Sequence, residues 1–309
     1  MLIPLLKAIR AYEPLNGAVT GGVRGLLSLM DAKSEFVIRH LPRTGDVTLR
    51  LPNGRDLRLW SRGDDWVANQ IFWRGWEGYE PEVVSIFFRL ATEARVTLDV
   101  GAHVGYFTLL AALANSAGVV HAFEPLARVR ERLERNVALN TLTNVHCHGD
   151  AVSDRVGTQQ FFDVGGAVPS SASLSHEFAT RNRHVTASVE VPVTTLDAFV
   201  ERAALSRVDL VKIDTEATEP LVLTGFARTL ARDHPDLLCE VLPNYGVETR
   251  LDAILKPLGY RYYHLAPTGP TSSPEIRGVR GARNYLFTVR EDIDVQRRSR
   301  DLVGAQGSA

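Results

Sequence analysis

Only two cysteines, Cys147 and Cys239, occur among the 309 residues, too few for a disulfide framework. Both sit in apolar, strand-like runs where a thiol behaves as a small hydrophobe, so a reducing, cytoplasmic setting is expected. Charge of one sign is missing too, since 35 basic residues face 36 acidic ones for a net charge of −1. Such a balance provides no overall field for nucleic acid or an anionic membrane, and neither is expected as a partner. No uninterrupted apolar stretch reaches the roughly 18 residues that suggest a bilayer span. The opening MLIPLLKAIRAYEPL, broken by Lys7, Arg10 and Glu13, reads as no signal peptide. Two nucleotide-gripping motifs are absent as well: there is no Gly-Lys-Ser/Thr sequence, and the glycine spacing of the dinucleotide fingerprint is not met. That disfavours NAD, FAD and a triphosphate held in a glycine-rich loop.

The 45% hydrophobic and 23% charged residues are instead those of a globular chain with a sizeable core. Residues 3–40 carry apolar positions at helical spacing, interrupted by Gly17, Gly21, Gly22 and Gly25, which predicts two short helices. Val47 to Leu51 and Leu57 to Trp60 alternate in polarity around Asn53-Gly54, a dipeptide suited to a tight hairpin turn. Two more helices are expected between Asp64 and Ala94. From Val96 onward, short apolar runs alternate with helical patterns, which predicts a mostly parallel sheet with helices on both faces. Seven strands are expected, near 96–100, 119–123, 144–148, 208–213, 236–241, 260–265 and 284–289. The expected division is an extension over 1–80, a core over 81–291 and a flexible polar tail over 292–309. Within the core, residues 164–186 hold two glycines, a proline and four serines without periodicity, the texture of a lid-like loop.

The sharpest local signal is VTLDVGAHVGYFTLLAALA, an apolar strand running into Asp99, Gly101 and Gly105 and then a helical pattern. Glycines let such a turn tighten, and the helix start that follows is electropositive, so this is a candidate nucleotide site. Glu124 closes the next strand, VVHAFEP, where a carboxylate accepts hydrogen bonds from vicinal ribose hydroxyls. Asp150-Ala151 follows the third strand, where the aspartate serves either an adenine amino group or a turn. Strand ends on one edge of a parallel sheet converge on one crevice, so the three sites address one nucleoside.

DVGAHVGYFTLL, AFEP, RLERNVALNTLTNVHCHGDAVSD, TTLDAF and VDLVKIDTEATEPLVLTGF, in that order, resemble the FkbM-type methyltransferase family over roughly residues 96–242. The resemblance implies a seven-stranded, Rossmann-like methyltransferase sheet and S-adenosyl-L-methionine as methyl donor. Asp99, Gly101 and Gly105 would then cradle its methionine part, Glu124 its ribose and Asp150 with Ala151 its adenine. Two departures stand out. Ala217 replaces the glycine the family usually has after Glu216, and His103, grouped with the cofactor-binding set, replaces a frequent asparagine.

For the chemistry, Asp214 at the end of the fourth strand is either the base for the acceptor's proton or a holder of the ligand's ammonium. Glu216 and Glu240 complete the catalytic candidates, because Glu240 inside LLCEVLP is costly to bury without a purpose. These acids would also suit a hard divalent ion. No other pattern supports one, and no metal ligand is assigned. His176 and His184 sit on the lid-like segment, where most histidines are simply solvated. Tyr245, Tyr262, Tyr263, Trp73 and Trp76 read as core, and RVRERLERN as a solvated face with Glu131 and Arg135 paired. The expected activity is methylation of a hydroxyl oxygen on a sugar, polyketide or other secondary metabolite, a range implied by the family. The alternatives are methylation of a nitrogen or of RNA on the same core, or a non-catalytic nucleoside-binding module. The N-terminal helices offer a surface for docking or for pairing two copies.

Overall fold

The computed structural model describes residues 12–29, 35–169, 172–182, 185–266, 268–279, 281, 283–291 and 295. The main sheet contains β3 (Val96–Val100), β4 (Val119–Phe123), β5 (Val145–His148), β9 (Leu210–Ile213), β10 (Asp236–Glu240), β11 (Arg261–Ala266), β12 (Gly269–Ser273) and β13 (Asn284–Thr288), in the order β12-β11-β13-β10-β9-β3-β4-β5. From β10 to β5 every neighbouring pair is parallel, while β13 runs antiparallel to both β10 and β11. The seven expected strands are all present, and β12 makes an eighth. Its sequence GPTSS lacks an apolar run, but it lies at the sheet edge, where Pro270 can dispense with a ladder donor.

A second departure is a small sheet beyond the seven expected strands, flanking the segment read as a loop. β6 (Ala151–Val152), β7 (Gly157–Asp163) and β8 (Ala187–Thr194) form a small sheet ordered β6-β8-β7. Five of the eight β8 residues are exposed, so its pattern lacks the apolar run that marks the main strands. The antiparallel β7–β8 pair, in register from Gly157↔Val193 to Asp163↔Ala187, is the stem from which the 164–186 segment projects. That segment also contains a short helix, His176–Asn182, instead of being loop throughout.

Ahead of the sheet, helices Glu13–Leu29 and Glu35–His40 precede the hairpin β1 (Thr44–Arg50) and β2 (Asp56–Arg62), which turns around Asn53-Gly54 as expected. Helices Trp66–Arg74 and Pro81–Ala91 follow. The hairpin residues Val47, Leu57 and Leu59 share one buried cluster with Leu109, Leu110 and Phe87, so the extension packs into the core of the sheet. Buried Asn136, on helix Ala127–Leu139, ties them together: its amide donates to the Val104 carbonyl at 2.9 Å and accepts from Trp60 N–H at 2.9 Å. That helix is less solvated than its composition suggests. Arg132 is buried against Asp64 at 3.3 Å, Arg135 stacks on Trp60, and the i,i+4 pair is Arg130–Glu134 in place of Glu131–Arg135. Both cysteines are free, and Tyr262, Tyr263 and Trp76 are core as expected. His184 and the tail lie outside the described residues, except Val295, which is buried. Among the described residues, no helix is long and apolar enough to cross a membrane.

Candidate functional site

At the carboxyl ends of β3, β4, β5 and β9 the chain leaves the sheet in four consecutive turns, and a cavity of about 1070 Å³, counting its open mouth, lies above them. Its wall includes Gly101, His103, Glu124, Asp150, Ala151, Asp214 and Glu216. Seven of the ten candidate residues therefore meet at one place, as strand-end geometry in a parallel sheet requires.

The β3 turn is shaped by close approach. Gly101 has φ +83°, and a Cβ there would lie 1.9 Å from the Asp214 carbonyl oxygen, so no side chain fits between β3 and β9. Gly101 and Ala102 N–H both donate to the Phe123 carbonyl, at 3.1 and 3.0 Å, which locks this turn to the end of β4. Gly105, at φ +91°, starts helix Tyr106–Ala114 and lets it approach Leu133. It packs helices and does not line the cavity. Asp99 is also beneath the wall: it is buried, accepts from the Thr108 hydroxyl at 2.5 Å and is pushed up by burial, with Lys212 opposing.

Glu124 holds its neighbours as well as facing the cavity. Oε2 accepts from His103 N–H at 3.1 Å and Oε1 from Leu126 N–H at 2.9 Å. Burial pushes this carboxyl up to about 7, against those amides and Arg130 and Arg128. Each oxygen retains a lone pair for a further donor.

The β9 turn carries the acids. Lys212, 5% exposed, donates to Asp214 Oδ2 at 2.9 Å and lies over the Phe107 ring. Glu216 and Ala217 both adopt left-handed backbone, φ 56° and 74°. Ala217 thus bears, at a cost of about 1 kcal/mol, a conformation that a glycine adopts freely. Glu219 secures the turn, its Oε1 accepting from Thr215 N–H, the Thr215 hydroxyl and Ala217 N–H. The Ser173 hydroxyl of the projecting segment reaches the Thr215 and Glu216 carbonyls, at 3.2 and 2.8 Å. The segment therefore folds down onto this turn, and Val168, Pro169, Ala172 and Leu174 cover one side of the cavity.

Glu240 ends β10 outside the cavity wall, 3.4 Å from Arg283. One carboxylate oxygen from each of Asp214, Glu216 and Glu240 lies within 4.8 Å of the others. Burial and this crowding raise Glu240 to about 8 and Glu216 well above its ordinary range. Acids at such spacing, without a further ligand, assign no metal.

Asp64, Trp66 and Tyr79 of the extension also line the cavity, and Trp66 is 52% exposed. Nothing in the local sequence distinguishes these residues, since they reach the site only through the hairpin's packing on the core. Lys212 was hidden similarly within an apolar strand pattern. His176 stacks edge-on against Phe162 and is not part of the wall.

Several known proteins are similar to this chain. The 31-O-demethyl-FK506 methyltransferase FkbM of Streptomyces tacrolimicus is 27% identical over 205 residues, 58% of this chain and 75% of that protein. The AMB antimetabolite synthetase AmbE of Pseudomonas aeruginosa is 28% identical over 160 residues, 42% of this chain but only 8% of the synthetase. Among solved structures, the methyltransferase FkbM of Methylobacillus flagellatus KT is similar with a TM-score of 0.41 and 15% identity, covering 63% of this chain and 44% of that one. The chain thus spans under half of that protein and a small part of the synthetase. A family model described as the methyltransferase FkbM domain matches residues 99–262, more than half of the sequence and all four turns of the cavity floor, and the chain belongs to that family of methyltransferases.

Proposed function

We propose that the protein transfers a methyl group from S-adenosylmethionine to a hydroxyl oxygen of a small molecule. One observation carries the reading: the Gly101 turn, Glu124, Asp150, Asp214 and Glu216 all line a single cavity. The residues suit the donor. Gly101 admits a ligand close to backbone, Glu124 has lone pairs for ribose hydroxyls, and Asp150 and Ala151 stand where an adenine would lie. When bound, S-adenosylmethionine supplies an electrophilic methyl group. The chain's own residues orient the two reactants, and Val168, Pro169, Ala172 and Leu174 keep water from them.

Asp214 holds the donor's ammonium beside Lys212 in this reading, while Glu216 and Glu240, raised by burial and crowding, stand near it in their protonated, hydrogen-bond-donating form. The acceptor enters beside Trp66 and Tyr79, whose rings suit a sugar or polyketide surface. The name of the Streptomyces relative, which denotes methylation of an O-demethylated compound, supports oxygen as the target. Titration calorimetry with S-adenosylhomocysteine tests the donor site, and micromolar affinity is expected. A screen of hydroxylated metabolites with tritiated donor then identifies the acceptor. Folded protein that releases no heat with either nucleoside overturns the proposal.

A further inference from the structure

We propose that His103 is the general base of the transfer, its Nε2 atom accepting the proton of the acceptor hydroxyl. The inference rests on the reading of the cavity as a site for methyl donor and hydroxyl acceptor. It begins from a comparison of His103 with four of the acids in and around the cavity, Asp214, Glu124, Glu240 and Glu219. Asp214 is committed to the buried ammonium of Lys212, 2.9 Å from its Oδ2. Glu124 accepts two backbone N–H groups and would also face the ribose. Glu240 lies outside the wall beside Arg283, and Glu219 also lies outside it, its Oε1 holding its own turn. His103 differs from all of these. It lines the cavity, and its Nε2 is shielded from solvent with no hydrogen-bond partner. A buried polar atom left without a partner is costly and is normally satisfied by something that binds.

The ring's surroundings suit a base more than a charged contact. Burial lowers its pKa to about 4, which weakens the ring as a base but keeps it neutral at working pH with its lone pair free. The charged groups facing it are Asp214 and Lys212 of the β9 turn and strand, Arg132 of helix Ala127–Leu139, and Glu124, which holds its backbone. Asp214 favours the imidazolium, while Lys212 and Arg132 oppose it. A contact with the Pro169 backbone ties the ring to the covering segment, so base and cover are set together. The backbone at His103 is left-handed, φ 52°, a conformation that asparagine and histidine tolerate better than most residues.

The step balances. The acceptor oxygen gains the methyl group, the sulfur–carbon bond breaks with its electron pair left on sulfur, and the hydroxyl proton moves to Nε2. One positive charge is lost at sulfur as another appears on the ring, so the low-dielectric site never holds an additional charge.

The test uses His103→Asn and His103→Gly in the full chain, both compatible with the left-handed backbone. Three quantities are read: S-adenosylhomocysteine affinity by calorimetry, turnover of the acceptor found in the tritium screen, and rescue of His103→Gly by added imidazoles. Nucleoside affinity within about threefold of wild type, with turnover reduced about 10²- to 10³-fold, is expected. Rescue should follow the basicity of imidazole, 4-methylimidazole and 1,2,4-triazole, which a merely space-filling role would not produce. Turnover of His103→Asn within threefold of wild type overturns the assignment. So does a loss confined to nucleoside affinity, which would make His103 a donor contact, or a rescue indifferent to basicity. If the wild-type protein itself binds no nucleoside, it is the underlying reading of the cavity that fails.

Discussion

The Lys212 ammonium sits 2.9 Å from Asp214 Oδ2 directly beneath the cavity, and its field reaches Asp99 and Glu80 as well. Burial acts to lower its pKa, yet the three carboxylates more than offset that and raise it. One buried cation therefore holds together a group of acids that would otherwise repel one another.

Lys212→Met should consequently destabilise the fold by about 3 kcal/mol, the scale for removing one partner of a buried ion pair. Urea unfolding followed by circular dichroism measures this. Lys212→Met/Asp214→Asn should recover part of the loss, and a double variant no more stable than the single one would contradict the account.

The two glycines of the β3 turn should differ in tolerance. At Gly101 an added Cβ meets the Asp214 backbone oxygen at 1.9 Å, whereas at Gly105 it meets the movable Leu133 Cδ1 at 2.3 Å. Both positions have positive φ, so both substitutions by alanine carry a backbone cost of about 1 kcal/mol. Gly101→Ala should cost more in melting temperature and abolish nucleoside binding, while Gly105→Ala binds. Equal effects in thermal melts and calorimetry would refute the difference.

Glu124→Gln removes the charge while leaving an acceptor oxygen for the His103 or Leu126 amide. If Glu124 faces the ribose, affinity for S-adenosylhomocysteine should fall by about 1–3 kcal/mol, roughly 5- to 150-fold. Calorimetry on the folded variant gives the number, and an unchanged dissociation constant would remove Glu124 from the ligand.

Stability should decline as pH rises from 6.5 to 8. Burial is the leading cause that raises Glu80, Glu124 and Glu219 to about 7 and Glu240 to about 8. The folded chain keeps those protons to higher pH than the unfolded chain, so their contribution is complete below about 4.5 and lost through 7 to 8. His103 and His121, lowered to about 4 by burial, act in the opposite sense, but only between 4 and 6.5. Above 6.5 the carboxylates act alone, and on the order of 4 kcal/mol should be lost by pH 8. Melting curves at several pH values should show the slope, and Glu240→Gln should flatten it. A melting temperature that climbs toward pH 8 would reverse the sign.

Much of the fold was legible because fully buried parallel strands leave continuous apolar runs. VTLDV, VVHAF and LVKI are buried along nearly their whole length, and their positions agree with expectation to within two residues. β8 and β12 were not legible, being exposed or rich in glycine, proline and serine. The misread Glu131–Arg135 pair shows the same limit: helical spacing permits it, but Trp60 from the hairpin captures Arg135. Of the candidate residues, those at strand ends were found from position alone, whereas Tyr79, Trp66 and Lys212 had no local mark.

The sequence by itself determined where strands end and which polar residues stand at those ends, because local apolar runs and glycine-bearing turns depend only on neighbours along the chain. Tertiary structure alone decided which of those residues face one cavity, which are paired beneath it, and which nitrogen is left without a partner. Those outcomes depend on contacts between residues far apart in sequence, such as Lys212 with Asp99 or Trp60 with Arg135, and on the burial that only the packed fold creates.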